Sequence, residues 1–272
     1  MKKKSEEDAT IDDIYDIPFV KMLTRVSCEI LLAKKTDFGA ITDDEKAILN
    51  LYQLFRNIMC CLNSIRTAIV FSKRYDKQYL GKNEVNEEQY MTYHYDTIVH
   101  KLATIKDLEF KVVAYIYKLP VNKHGNCSWD TISKKREEIN NERLFMYFEK
   151  ESHKAFLLSF DKKRNKSTHD GKLSLTEFKD VSGLLWIRDI SNDLLYKDIP
   201  GGDYANSWYV SPLIKTSRKE TIRHMEQIYK SSINLRYNFF NCLFEDLSKV
   251  FTDEVKTNYR NTIADVFNTL KF

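Results

Sequence analysis

The chain has 272 residues, 30% of them charged and 13% aromatic, with a formal net charge of +4. That length supplies a real core in one large domain or two small ones, and so mild a basic excess permits a polyanionic partner without requiring one. Four prolines and seven glycines are too few for the many marked turns of a sandwich or barrel, so long helices are expected.

Residues 1–11 are charged and are expected to be loose. Asp16 with Pro18 marks a helix start, and Phe19, Val20, Leu23, Val26, Ile30 and Leu31 give it an apolar stripe. Phe38-Gly39 breaks it. Thr42 with Asp43-Asp44 opens a second helix, acidic at its positive end, striped by Ile48, Leu51, Phe55, Ile58, Leu62, Ile65 and Ile69. That pattern ends between Tyr79 and Lys82. A third helix is expected from Asn86-Glu87 to Leu119, where Pro120 stops it, with Tyr90, Tyr93, Thr97, His100, Leu102, Leu108, Val112 and Ile116 on its buried face.

VNKHGNC reads as a turn. Ser128 caps a short amphipathic stretch from Trp129 to Ile139, and Asn140-Asn141 breaks it. From Glu142 the residues Leu144, Phe145, Phe148, Ala155, Phe156 and Phe160 share one helical face, and that helix is expected to end in Lys162, Lys163 and Arg164. A basic turn follows. Leu175 to Ile187 is weakly helical, and Asp189 to Tyr209 is the longest loop. Ser211 and Pro212 then start a helix reaching Phe251, followed by a short one from Asp253. No strand pattern and no fixed-period repeat is visible. The expected fold is all-α: a bundle of several long antiparallel helices, with residues 12–272 as a single domain.

Cysteines 28, 60, 61, 127 and 242 are odd in number and form no CxxC pair. This points to a reducing cytoplasm rather than a disulfide framework, with Cys60-Cys61 packed in a helix. After MKKK comes SEEDATIDD, where a leader would need an apolar run, and no apolar run of bilayer length is expected. A cytoplasmic protein without a membrane partner is the expectation.

Chemistry is readable in one stretch, LSFDKKRNKSTHDGK, residues 158–172. Arg164 and Asn165 are followed by His169 at the expected helix end. This arrangement resembles the signature of the HEPN superfamily (higher eukaryotes and prokaryotes nucleotide-binding), an arginine, a polar residue, a short spacer and a histidine. A competing pair, Arg218 and His224, lacks the polar follower, since Lys219 occupies that place.

The resemblance implies an α-helical bundle that dimerises. It also implies a metal-independent ribonuclease of the toxin–antitoxin, phage-defence or RNA-processing kind, without a cofactor. Arg164 and His169 would form the catalytic pair, with Asn165 assisting. An antitoxin or other regulatory protein would be encoded elsewhere. In HEPN toxins controlled by a nucleotidyltransferase a tyrosine lies two residues after the histidine. Gly171 stands there in this chain, so control by that route is not implied.

The residue types suit RNA cleavage. RNA carries its own nucleophile in the 2′-OH, an imidazole titrates near neutrality, and a guanidinium fork fits charge building on a phosphate. Lys162, Lys163, Lys166 and Lys172 would hold flanking phosphates, and Lys134, Lys135 and Arg136 would join them if the short helix folds alongside.

Two other readings remain. A non-catalytic helical module could bind RNA, nucleotide or a protein through the same basic corner. His169-Asp170 is also the dipeptide of metal-dependent HD-type phosphohydrolases, with His153 and Asp246 or Asp253 as further ligands. His94 and His100 are too far round a helix to share a metal. Tyr90, Tyr93 and Tyr95 fit half-buried bundle positions better than base-stacking ones.

Overall fold

The computed structural model describes residues 9–34, 41–76, 79–80, 85–170, 173–191 and 210–269. All regular structure among them is helical. In chain order the helices are α1 (Ile11–Asp16), α2 (Pro18–Ala33), α3 (Asp43–Ser72), α4 (Glu87–Ile116), α5 (Trp129–Lys134), α6 (Arg136–Ile139), α7 (Glu142–Glu149) and α8 (Glu151–Asp170). They continue with α9 (Ser182–Ser191), α10 (Val210–Cys242), α11 (Leu247–Val250), α12 (Asp253–Asn258) and α13 (Arg260–Thr269). Single 3₁₀ turns lie at Thr176–Phe178 and Phe244–Asp246.

The all-helical architecture is as the glycine and proline scarcity implied. Several boundaries differ. Helix starts one turn earlier than expected, because Thr10 and Asp13 form a reciprocal capping box ahead of Asp16. The residue before Pro18 is then Ile17, extended at φ −59° and ψ 130°, as a residue preceding proline prefers. The helix expected from Glu142 to Arg164 is two helices, parted where Lys150 turns extended. The second of them does not stop at Arg164 but runs on to Asp170. Asn140 takes the left-handed conformation at φ 49° and closes α6, a role asparagine fills well. The helix expected to reach Phe251 ends at Cys242. The 192–209 part of the expected loop, Lys172 and Gly171 lie outside the described residues.

The chain divides into two compact units. The first comprises residues 1–62, 104–158 and 230–272. Its core holds Phe19, Val20, Leu23, Phe55, Ile58, Val112, Phe145, Phe239 and Phe240, all at most 1% exposed. α13 packs on α2. Inside this core the Arg236 guanidinium is wholly buried against Glu109, Nε to Oε1 2.9 Å. Tyr147 donates its hydroxyl to the same carboxylate at 3.0 Å.

The second unit comprises residues 63–103 and 159–229. Its core includes Ile65, Met91, Ile98, Val99, Phe178, Leu185, Val210 and Met225. The start of α4 is tied to α9 three times. Arg188 pairs with Glu87 at 2.8 Å, Ser182 donates to Glu88 at 2.6 Å, and Asn86 donates to Asp189 at 2.6 Å.

The seven apolar residues expected to line α3 are all buried. Among the described residues α3 alone has the length and apolarity of a membrane-crossing helix, which the expectation of no such run had missed. Its buried stripe is what a core helix of the same composition shows. On α4 the first turns face otherwise than expected: Met91, Tyr95, Ile98 and Val99 are buried, whereas Tyr93 is 69% exposed. Leu31 and Cys60, expected to be packed, are exposed.

Candidate functional site

α8 contains neither proline nor glycine between Glu151 and Asp170, so no residue within it forces a stop before the end of the RNKSTH run. Two lines of side chains result in its second half. Phe160, Lys163, Arg164 and Ser167 recur at helical spacing and are buried or half-buried. Lys162, Asn165, Lys166 and His169 recur on the other side and are exposed.

The inner line is held by α4. Lys163 donates its ammonium to the Tyr95 hydroxyl and lies 5.0 Å from the Tyr95 ring centroid. Ser167 donates its hydroxyl to Asp96 Oδ1. The same Asp96 oxygen is 3.6 Å from His100 Nε2, one turn further along α4. On α10, His224 bonds Glu177 through Nδ1 at 2.8 Å, and its ring centroid is 6.1 Å from that of Tyr95.

The outer line carries two lysines, an amide and an imidazole, with no carboxylate among its described side chains. Its cations are solvated, so their attraction for a polyanion is of the salt-sensitive kind.

The proposed residues are therefore brought onto one helix but divided between its faces. Five residues on an unbroken α-helix place Arg164 and His169 about 140° apart around the axis and about 7.5 Å apart along it. The expectation that they flank a helix end is corrected: both lie in the last two turns of α8. Asn165 shares the exposed side with His169, Lys162 and Lys166. Lys163 turns inward to Tyr95. Lys172 lies outside the described residues.

Sequence reasoning missed Asp96 as a partner of this helix, with His100 beside Asp96 and His224 beside Tyr95. For the first two a signal was present, since Asp96 and His100 are four apart on one helix. The pairing of Asp96 with Ser167 is long-range and leaves no local trace.

The metal-site alternative finds less support. His153 is 1% exposed, its Nδ1 bonded to the Tyr147 carbonyl oxygen at 2.9 Å. The Asp246 carboxylate accepts from the Tyr117 hydroxyl and the Asn141 amide, and pairs with Lys249 at 2.7 Å. Among the described residues no group of three or more His, Cys, Asp or Glu side chains is arranged to hold a metal ion. Lys134, Lys135 and Arg136 pair with Asp130, Glu138, Glu142 and Glu149, so their charge is largely neutralised. In comparisons with known protein families, curated proteins and solved structures, nothing matches this chain.

Proposed function

We propose that this chain is a metal-independent endoribonuclease of the HEPN type, acting as a homodimer on RNA. The observation that carries the reading is the solvent-facing line Lys162, Asn165, Lys166 and His169, free of carboxylates, with Arg164 half-buried on the same two turns of α8. In the reaction the RNA 2′-oxygen attacks the adjacent phosphorus and the bond to the 5′-oxygen breaks. Products are a 2′,3′-cyclic phosphate and a free 5′-hydroxyl. His169 takes the 2′-OH proton or supplies one to the leaving oxygen. Arg164 offsets the charge gathering on the phosphoryl oxygens. The second subunit's copy of His169 performs the complementary proton transfer.

The test is cleavage of a labelled single-stranded RNA with EDTA present, comparing wild type with Arg164→Ala and His169→Ala. Each substitution should lower cleavage by about a hundredfold or more, and the products should carry cyclic phosphate. Wild type that leaves RNA intact, or full activity in His169→Ala, removes the reading.

A second reading is favoured by one specific feature, the separation of Arg164 and His169 around an unbroken helix. In it the same basic line binds RNA without cutting it. Binding by both wild type and the Arg164→Ala, His169→Ala double variant, with turnover by neither, selects it.

A further inference from the structure

In the second unit the end of α3 and the first turns of α4 build an aromatic cluster that the nuclease reading does not use. The ring of Phe71 stacks on that of His94, interplanar angle 12° and centroids 6.5 Å apart. Tyr93 meets His94 edge-on at 5.3 Å, and Tyr90 does so at 4.6 Å. The Tyr90 hydroxyl donates to the Phe71 carbonyl oxygen at 2.7 Å, which fastens the end of one helix to the other. The outer rings are left open to solvent, Phe71 being 48% and Tyr93 69% exposed. Beneath them His94 is only 7% exposed, and its Nε2 has no hydrogen-bond partner among the described residues. Burial lowers the affinity of this imidazole for a second proton, so the cluster is uncharged at neutral pH.

The charge around it has one sign along α3. From Lys46 to Tyr75 the chain carries no carboxylate, while Arg66 on the last turns of α3 and Lys73 and Arg74 just past its end are exposed. Lys73 pairs with Glu226 at 2.6 Å. Arg74 and Arg218 lie close enough to Tyr90 to counter the rise that burial imposes on its phenol. Solvent-facing aromatic rings beside guanidinium groups form the surface on which unpaired bases stack, each ring face accepting any base. A protein partner would favour a broader apolar surface and would not need the cationic border.

We propose that Phe71 and Tyr93, seated on His94 and bordered by Arg74 and Arg218, form a stacking site for an unpaired nucleobase of single-stranded RNA. This rests on the RNA reading above. It adds to it the strandedness of the substrate and a place where the strand is gripped.

The experiment is fluorescence anisotropy of an end-labelled, unstructured 12-nucleotide RNA and of the same sequence as a duplex. The proteins are wild type, Phe71→Ala, Tyr93→Ala and the ring-preserving Tyr93→Phe, with circular dichroism to check that each is folded. The expected result is that single-stranded RNA binds more tightly than duplex. Each alanine variant should weaken single-strand binding about tenfold or more while the slope of affinity against salt is unchanged, and Tyr93→Phe should bind like wild type. Equal affinity of the alanine variants and wild type for single-stranded RNA overturns the stacking site and leaves the nuclease reading standing. So does a weakening that also reduces the salt slope. No RNA binding by wild type overturns both.

Discussion

Arg236 and Glu109 are both wholly buried, and each is tolerable only because the other is there. Arg236 also reaches Ser232, at 3.1 Å to its hydroxyl and 3.3 Å to its carbonyl oxygen. Burial and the neighbouring Glu109 carboxylate push the Tyr147 phenol well above its ordinary range, so it remains a neutral donor. Replacing Arg236 with methionine keeps the volume but strands a carboxylate in the core. The expected loss is about 3–5 kcal/mol, read as a lower urea midpoint. Replacing Glu109 with leucine as well should restore most of it. A double variant no more stable than Arg236→Met would show that the packing of Arg236, not the ion pair, is what matters. None of this was legible in the sequence. Glu109 and Arg236 are 127 positions apart, and charged residues in helical stripes read as solvent-facing. The proposed site residues were legible as a run, RNKSTH. Which way each pointed was not, because that depended on whether the helix stopped at Arg164.

At the scale of elements, apolar spacing located the helices and mislocated several of their ends. A helix end is decided by one or two residues whose backbone leaves the helical region, and Lys150 has no sequence mark that sets it apart from the residues around it. α7 shows how much one such residue can do. The Asn141 side-chain oxygen accepts from the Leu144 amide at 3.0 Å, and its Nδ2 donates to Cys242 O at 2.8 Å and to the Asp246 carboxylate. Asn141→Ala should therefore cost more than an ordinary cap, about 2 kcal/mol against a typical 1. Asn141→Asp keeps the cap acceptor but sets a carboxylate beside Asp246, and should be no more stable than the alanine variant near neutral pH. Chemical unfolding of the three proteins at pH 7 gives the order. An aspartate variant as stable as wild type would mean that the amide's donors contribute little.

For the whole molecule, two buried histidines in different units are expected to weaken the fold as pH falls below neutrality. Burial lowers the pKa of His153 and of His94. In the unfolded chain each takes up its proton near pH 6.5. A depressed folded-state value means that the unfolded state binds more protons as pH falls, so stability is fully present above about 6.5 and declines below it. The urea midpoint should drop between pH 7 and pH 5, and His153→Gln should flatten that drop even if it lowers the midpoint at pH 7. An unchanged slope in the variant would assign the acid sensitivity elsewhere. The division into two compact units was not visible beforehand, for a physical reason. The buried line of α3 from Ile48 to Ile69 runs without a break through residue 62, where one unit gives way to the other, and periodicity registers only that a face is covered.

The carboxylate-free run of α3 has a practical consequence. A protease that cuts after acidic residues finds no site between Glu45 and Asp76, whereas trypsin can attack Lys73 and Arg74, which follow Phe71 just past the end of α3. Partial tryptic digestion with and without a short oligonucleotide would thus act as a footprint. Shielding confined to those two bonds would place the strand there without any substitution in the chain.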